Sequence, residues 1–168
     1  MENVRIIGID PGLRKTGWGI IESHGPKLKY LACGTVRTDT SKDLSERLMM
    51  VYRGLALPLA DWKPAEAAVE QTFVNKNGAS TLKLGQARGV AMLVPALGGL
   101  PVSEYSATQV KKTVIGTGRG DKNQIATMIS HLLPKARPDS EDAADALAIA
   151  ITHAHHRKIS ERKMRVTA

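Results

Sequence analysis

Four acidic residues stand where acids are costly unless they are used. Asp10 closes the apolar run at 4–9, Glu70 follows Ala67-Ala68-Val69, and Asp142 and Asp145 lie three apart in an alanine-rich stretch. That spacing places the last two on neighbouring turns of one helix face. An unpaired carboxylate withdrawn from water costs on the order of several kcal/mol, so such groups are paired, protonated or bound to a cation. No comparable set of lysines or arginines lies beside them in sequence. Hard oxygen ligands, without cysteine or a histidine placed to complete a zinc set, favour Mg²⁺, with Mn²⁺ as a substitute. Two such ions about 4 Å apart can generate an attacking hydroxide and stabilise the leaving oxyanion of an in-line displacement. Gathered acids also raise one another's pKa values, and a cation reverses that. Activity is therefore expected to rise with pH and to need the metal. An alternative for Asp142 and Asp145 is a helix N-terminus, where the macrodipole favours acids, with Asp139 or Ser140 as the cap. Asp10 alone also fits a strand-end turn. Glu70 is harder to place so, because strand interiors disfavour glutamate.

The elements that must carry these acids are readable from periodicity. Residues 4–9 form a β-branched, apolar strand that ends in Asp10-Pro11-Gly12, a turn signal. Strands at 17–21 and 28–36 follow at short spacing, which predicts an antiparallel meander. Leu44, Leu48, Val51, Leu55 and Leu59 recur at helical steps, predicting a helix over 43–60 with Pro64 at its exit. A buried strand over 65–73 carries Glu70. A long helix over 80–97 follows, whose Gly85, Ala87, Gly89 and Ala91 permit close approach by another element. A short strand at 102–105 precedes helices at 107–115, 122–133 and 140–156. Three antiparallel strands followed by alternating helices and strands predict one α/β domain over 1–156: a mixed five-stranded sheet with helices on both faces. Residues 157–168 form a basic tail without apolar periodicity, expected to be a frayed helix end or flexible.

Composition narrows the partner. The 168 residues suit one domain. Their formal net charge of +8 and pI near 9.8 point to a phosphate-rich ligand. The tail holds five basic residues against Glu161, and residues 73–122 hold seven against Glu104 and Asp121. A single cysteine, Cys33, excludes intrachain disulfides and cysteine-based zinc sites and fits a reducing, cytoplasmic setting. Residues 1–9 read as a strand rather than a signal peptide, and the longest apolar stretch is short and broken by Pro95, Gly98, Gly99 and Pro101. No membrane association is expected. His153, His155 and His156 read as cations at the C-terminal end of a helix dipole rather than as zinc ligands.

Taken in order, Ile7-Gly8-Ile9-Asp10-Pro11-Gly12, Val69-Glu70-Gln71, Lys83-Leu84-Gly85-Gln86-Ala87-Arg88-Gly89, Gln109-Val110-Lys111 and Asp142-Ala143-Ala144-Asp145-Ala146-Leu147-Ala148-Ile149-Ala150 resemble the RuvC Holliday-junction resolvases of bacteria. The resemblance runs from about residue 4 to 156. It implies a ribonuclease H-like fold and a homodimer that nicks two opposed strands of a four-way junction symmetrically, leaving 5′-phosphate and 3′-hydroxyl ends. It implies that Asp10, Glu70, Asp142 and Asp145 are the metal-binding catalytic acids, in an all-carboxylate form. It further implies a branch-migration helicase partner.

By the same resemblance Phe73 inserts at the junction centre and stacks on a base, which is worth about 1–3 kcal/mol; core packing is its alternative. Lys111 and Lys122 match basic positions near the scissile phosphate, against the alternative of solvated helix lysines. Arg119, in the Gly116–Gly120 loop, and Lys76, before the long helix, are further candidates for DNA binding. Lys83 and Arg88 lie on that helix, which in the family contributes to the dimer. Two other classes compete with a nuclease. A silent nucleic-acid-binding module would gain by losing acids near phosphate, and a sugar-kinase or actin-like ATPase needs two such domains. Within the nucleases, RNA–DNA hybrid is the alternative substrate.

Overall fold

Alternation along the first strand decides which layer covers each face of the sheet. Ile7 and Ile9 point to one side and join Ile20, Val51, Leu55, Ala67, Val69, Ala91 and Val94 in one apolar cluster. Ile6 points to the other side and joins Ile21, Ala68, Val110, Ile125, Ile129 and Leu147. Ile6, Ile7, Ile9, Ile20 and Ile21 are wholly buried, each stabilising by about 1.5–3 kcal/mol. Slipping the strand by one residue would exchange the two sets, so this core fixes its register.

The computed structural model describes residues 3–72 and 76–166, with side chains as far as Arg157. The elements run β1 (Val4–Asp10), β2 (Lys15–His24), β3 (Lys27–Arg37), α1 (Leu44–Trp62), β4 (Glu66–Glu70), α2 (Gly78–Leu97), β5 (Val102–Tyr105), α3 (Ala107–Ile115), α4 (Lys122–Leu132) and α5 (Glu141–Val166). The sheet order is β3-β2-β1-β4-β5. β1, β2 and β3 pair antiparallel, while β4 and β5 run parallel to β1. Helices α1 and α2 cover one face; α5, backed by α3 and α4, covers the other. This is the mixed α/β sheet that the pattern predicts.

Three expectations need correction. β4 ends at Glu70 instead of continuing to 73, so Glu70 sits at the strand's mouth rather than in its interior. The last helix continues through Val166 instead of stopping near 156. No glycine or proline follows Pro138 to interrupt it, and Arg157 is tied to the sheet. Ala87 and Ala91 of α2 are buried as expected, but a Cβ at Gly85 or Gly89 would meet nothing within 4 Å. Those two glycines do not serve packing within the described residues.

Candidate active site

Parallel pairing of β1 with β4 sets the first two acids side by side. The β1–β4 ladder closes at Ile9 opposite Val69, so Asp10 and Glu70, the last residues of their strands, stand next along at the C-terminal edge of the sheet. The two carboxyls act on each other at close range, and Glu70 favours the protonated form of Asp10. Arg88 of α2 steadies the second strand's end: its Nε donates to the Glu70 carbonyl at 3.0 Å, and its guanidinium pairs with Glu104. The Gln71 N–H donates to the Tyr105 carbonyl at 2.8 Å, holding β4 to β5 just past Glu70.

The other two acids are delivered by helix α5, and glycines let it approach. Gly17 lies opposite Asp10 in the β1–β2 ladder. A Cβ on Gly17 would fall 1.9 Å from the Asp142 carbonyl oxygen, and one on Gly8 2.1 Å from that of Ala146. The first turns of α5 therefore rest directly on the sheet backbone. Ser140 caps the helix, its Oγ accepting from the Ala143 N–H at 3.0 Å. Thr35 of β3 bonds both Ser140 Oγ, at 2.5 Å, and Asp139, at 3.0 Å. Strand, cap and helix thus bring Asp142 and Asp145 within electrostatic reach of Asp10, and Asp145 within that of Glu70.

The charge balance of this cluster is strongly negative. Burial, then the charge of Glu70 and the hydrogen bond with it, then Asp145 and Asp142, push the Asp10 carboxyl well above the ordinary carboxylate range. Asp145 is raised to about 6, mainly by burial and Glu70, with Lys122 pulling in the opposite direction. Among the described residues no three histidine, cysteine or acidic side chains are gathered as a ready coordination sphere. The fit to a cation rests on the donor set: four half-buried carboxylates, all hard oxygen ligands, with too little positive charge around them.

The structure brings one predicted basic residue to the acids. Lys122, at the start of α4, donates through Nζ to Glu141 at 2.6 Å and acts electrostatically on Asp145. Lys111 is half-buried on α3, and Lys76 and Arg119 are exposed; none of these side chains makes a hydrogen bond or ion pair among the described residues. Phe73 lies outside the described residues. In the glycine-rich loop, Gly116 ends α3 at φ +78° and a Cβ on Gly120 would collide with Ile115. These two glycines therefore already have structural work, apart from any contact with phosphate.

Two groups escaped the sequence reading. A groove of about 730 Å³ beside Asp142 is lined by Arg14, Lys15 and Arg37 with Thr38 and Thr40. Elsewhere His153, only 6% exposed, bonds Tyr105 Oη at 2.9 Å and Glu66 Oε2 at 2.7 Å. Arg157 embraces the same glutamate with contacts of 2.9–3.1 Å. Because α5 continues past it, His153 is a mid-helix core residue rather than a cation at a helix end. Its signal lay in alignment: 153 and 157 share a helix face, four residues apart.

The same architecture and order of motifs occur in known proteins. Residues 6–153 match the family described as crossover junction endodeoxyribonuclease RuvC. The chain belongs to the RuvC family. It is 64% identical to a RuvC of Bradyrhizobium diazoefficiens, over 97% of this chain and 93% of that protein. It is 62% identical to one of Rhodopseudomonas palustris strain BisA53, over 98% and 95%. Among solved structures it resembles Thermus thermophilus RuvC in complex with Holliday junction substrate, with a TM-score of 0.87, 30% identity and coverage of 94% and 96%. The yeast mitochondrial Holliday junction resolvase Ydc2, at 11% identity and a TM-score of 0.65, shares the fold alone. The RuvC chain thus has the ribonuclease H-like fold that its motifs imply.

Proposed function

We propose that this chain resolves four-way DNA junctions by hydrolysing phosphodiesters at the Asp10, Glu70, Asp142 and Asp145 cluster. The observation that carries the reading is four carboxylates converging from two strand ends and one helix with too little countercharge of their own. Mg²⁺, as a pair of ions, would supply charge neutralisation and activate water there, and Mn²⁺ would substitute. Asp10 and Glu70 would hold it from the sheet, and Asp142 and Asp145 from α5. Lys122 sets a positive charge at the edge of the acids, where it meets a phosphate oxygen. Lys111, Lys76, Arg119 and Phe73 act on the DNA around that point, Phe73 by stacking. The products carry 5′-phosphate and 3′-hydroxyl ends.

Two opposed strands require two sites related by a two-fold axis, so the working unit is a homodimer. Leu82, Gly85, Gly89 and Leu93 recur along one exposed side of α2 and favour that helix as the meeting face. No helix among the described residues is long and apolar enough to cross a membrane. A cytoplasmic setting and a branch-migration helicase partner follow from the family reading.

The deciding experiment is cleavage of a synthetic four-way junction with and without Mg²⁺, beside linear duplex and RNA–DNA hybrid. Paired symmetric nicks only in the junction, lost without metal and in Asp10→Asn, are expected. Tight binding with no nicks, across junctions of varied sequence, would make the chain a binding module instead.

A further inference from the structure

The β1–β2 turn and the far end of β3 carry three cations that the catalytic cluster does not use. Lys15 and Arg37 are direct partners on the first rung of the β2–β3 ladder. Cross-strand partners stand about 5 Å apart at Cβ, and like charges so placed repel each other. Arg14 adds a third positive charge next to them. All three are exposed, and none makes an ion pair or side-chain hydrogen bond among the described residues. No ion pair among the described residues offsets that repulsion.

Beneath these cations the backbone is locked without their help. Thr16 Oγ1 donates to the Gly12 carbonyl at 2.7 Å, and Thr38 Oγ1 donates to that of Leu13 at 2.5 Å. The Thr38 N–H donates to the Arg14 carbonyl at 3.1 Å. Arg47 of α1 braces both, donating to Leu13 O at 3.3 Å and to Thr38 Oγ1 at 3.1 Å. The carbonyls of residues 12–14 are thus occupied internally. The 730 Å³ groove is lined by the three cations and Asp142, together with Gly12, Leu13, Thr38 and Thr40. A rigid floor, an unrelieved cluster of cations and a catalytic acid in the same groove together describe a polyanion track that leads into the active site.

We propose that Lys15 and Arg37, with Arg14, form a phosphate clamp that grips the backbone of the strand being cut where it enters or leaves the acid cluster. The proposal rests on the nuclease reading and assigns that site a second set of binding residues, separate from Lys111, Lys122 and Arg119. It gives the hairpin a positioning role: with the flanking backbone held, the scissile phosphate is presented to the acids in one register.

The test measures junction binding in the full-length Asp10→Asn chain over a range of NaCl concentrations, comparing it with the same chain carrying Lys15→Gln and Arg37→Gln. Each lost phosphate contact should reduce the log–log salt slope by about 0.7–0.9, so the double change should flatten it by about 1.5. At low salt the affinity should fall on the order of ten-fold. A control carrying Lys27→Gln and Lys29→Gln removes the same charge from the opposite end of the hairpin and should bind within about two-fold of its parent. The thermal midpoint of the Lys15, Arg37 variant should hold or rise, since a repulsive pair has been removed. Equal losses in both double variants, or an unchanged salt slope, would overturn the clamp. A lowered midpoint would overturn it as well, by making the cations structural. Absence of any junction binding by the Asp10→Asn parent would overturn the nuclease reading along with the clamp, whereas binding with an unchanged slope sinks the clamp alone.

Discussion

Glu66 and Glu70 stand on the same strand and the same face, four residues apart, and both are half-buried. Their surroundings are opposite in sign. Glu66 accepts bonds from Arg157 and His153. Burial pushes its carboxyl up, but those bonds outweigh the push and hold it below the usual carboxylate value. Glu70 faces Asp10 and Asp145 and raises the pKa of both. One helix supplies both environments: α5 brings acids to Glu70 with its first turns and bases to Glu66 about 16 Å further along. Burial alone therefore does not mark a functional acid. Missing countercharge is what sets Glu70 apart from Glu66.

The largest expected effect breaks the comparison at its catalytic end. Asp10→Asn or Glu70→Gln should slow junction nicking by about a thousand-fold or more, measured as single-turnover rate in Mg²⁺; a variant retaining a tenth of the rate would remove that residue from the chemistry. At the other end, Glu66→Gln should cost about 1–3 kcal/mol in urea unfolding, because a half-buried arginine and a buried histidine lose their partner. Nicking by the surviving folded protein should fall less than ten-fold. Equal damage to activity from both glutamates would erase the distinction.

A pH titration of stability sharpens it. Asp10 and Asp145 have raised folded pKa values, so the metal-free protein binds extra protons there. Stability should fall as pH climbs from their unfolded value near 3.8 through about 6 for Asp145 and higher for Asp10. Asp145→Asn should accordingly gain on the order of 1 kcal/mol at pH 8, and nothing near pH 4. Glu66 has the opposite sign: its contribution is present above its unfolded value near 4.5 and is lost on acidification through its lowered folded pKa. A Glu66→Gln chain that kept the wild-type acid limb would refute that half of the argument. The smallest effect belongs to Lys122→Ala, which should weaken nicking about three-fold through lost phosphate contact while leaving the unfolding midpoint unmoved, since its ion pair is exposed.

The acid cluster at the Glu70 end of this contrast was legible in the sequence because its signal is local. An acid after Ile-Ile-Gly-Ile, a glutamate after Ala-Ala-Val and two aspartates three apart each look out of place within a few residues. The structural end was not legible, since Glu66 meets His153 from 87 residues away. Three histidines near a chain end read as an exposed cluster until the helix is seen to continue. The repulsive rung of Lys15 and Arg37 was equally hidden, because only the strand register makes them neighbours. The succession of strands and helices along the chain followed from periodicity, while the end of β4 did not, since Gln71 and Thr72 carry no breaker signal.

The bare backbone seat of α5 has one further consequence. Side chains that separate two elements can change rotamer and so absorb a disturbance, but peptide groups in direct contact have no such slack. The spacing between the strand-borne and helix-borne acids is thus written into the main chain, where heat, salt and surface mutation have little leverage. A single methyl group at Gly17, uncharged and remote from any proton transfer, would act as a shim under the helix. It would silence the enzyme by dimension alone, with every acid still present.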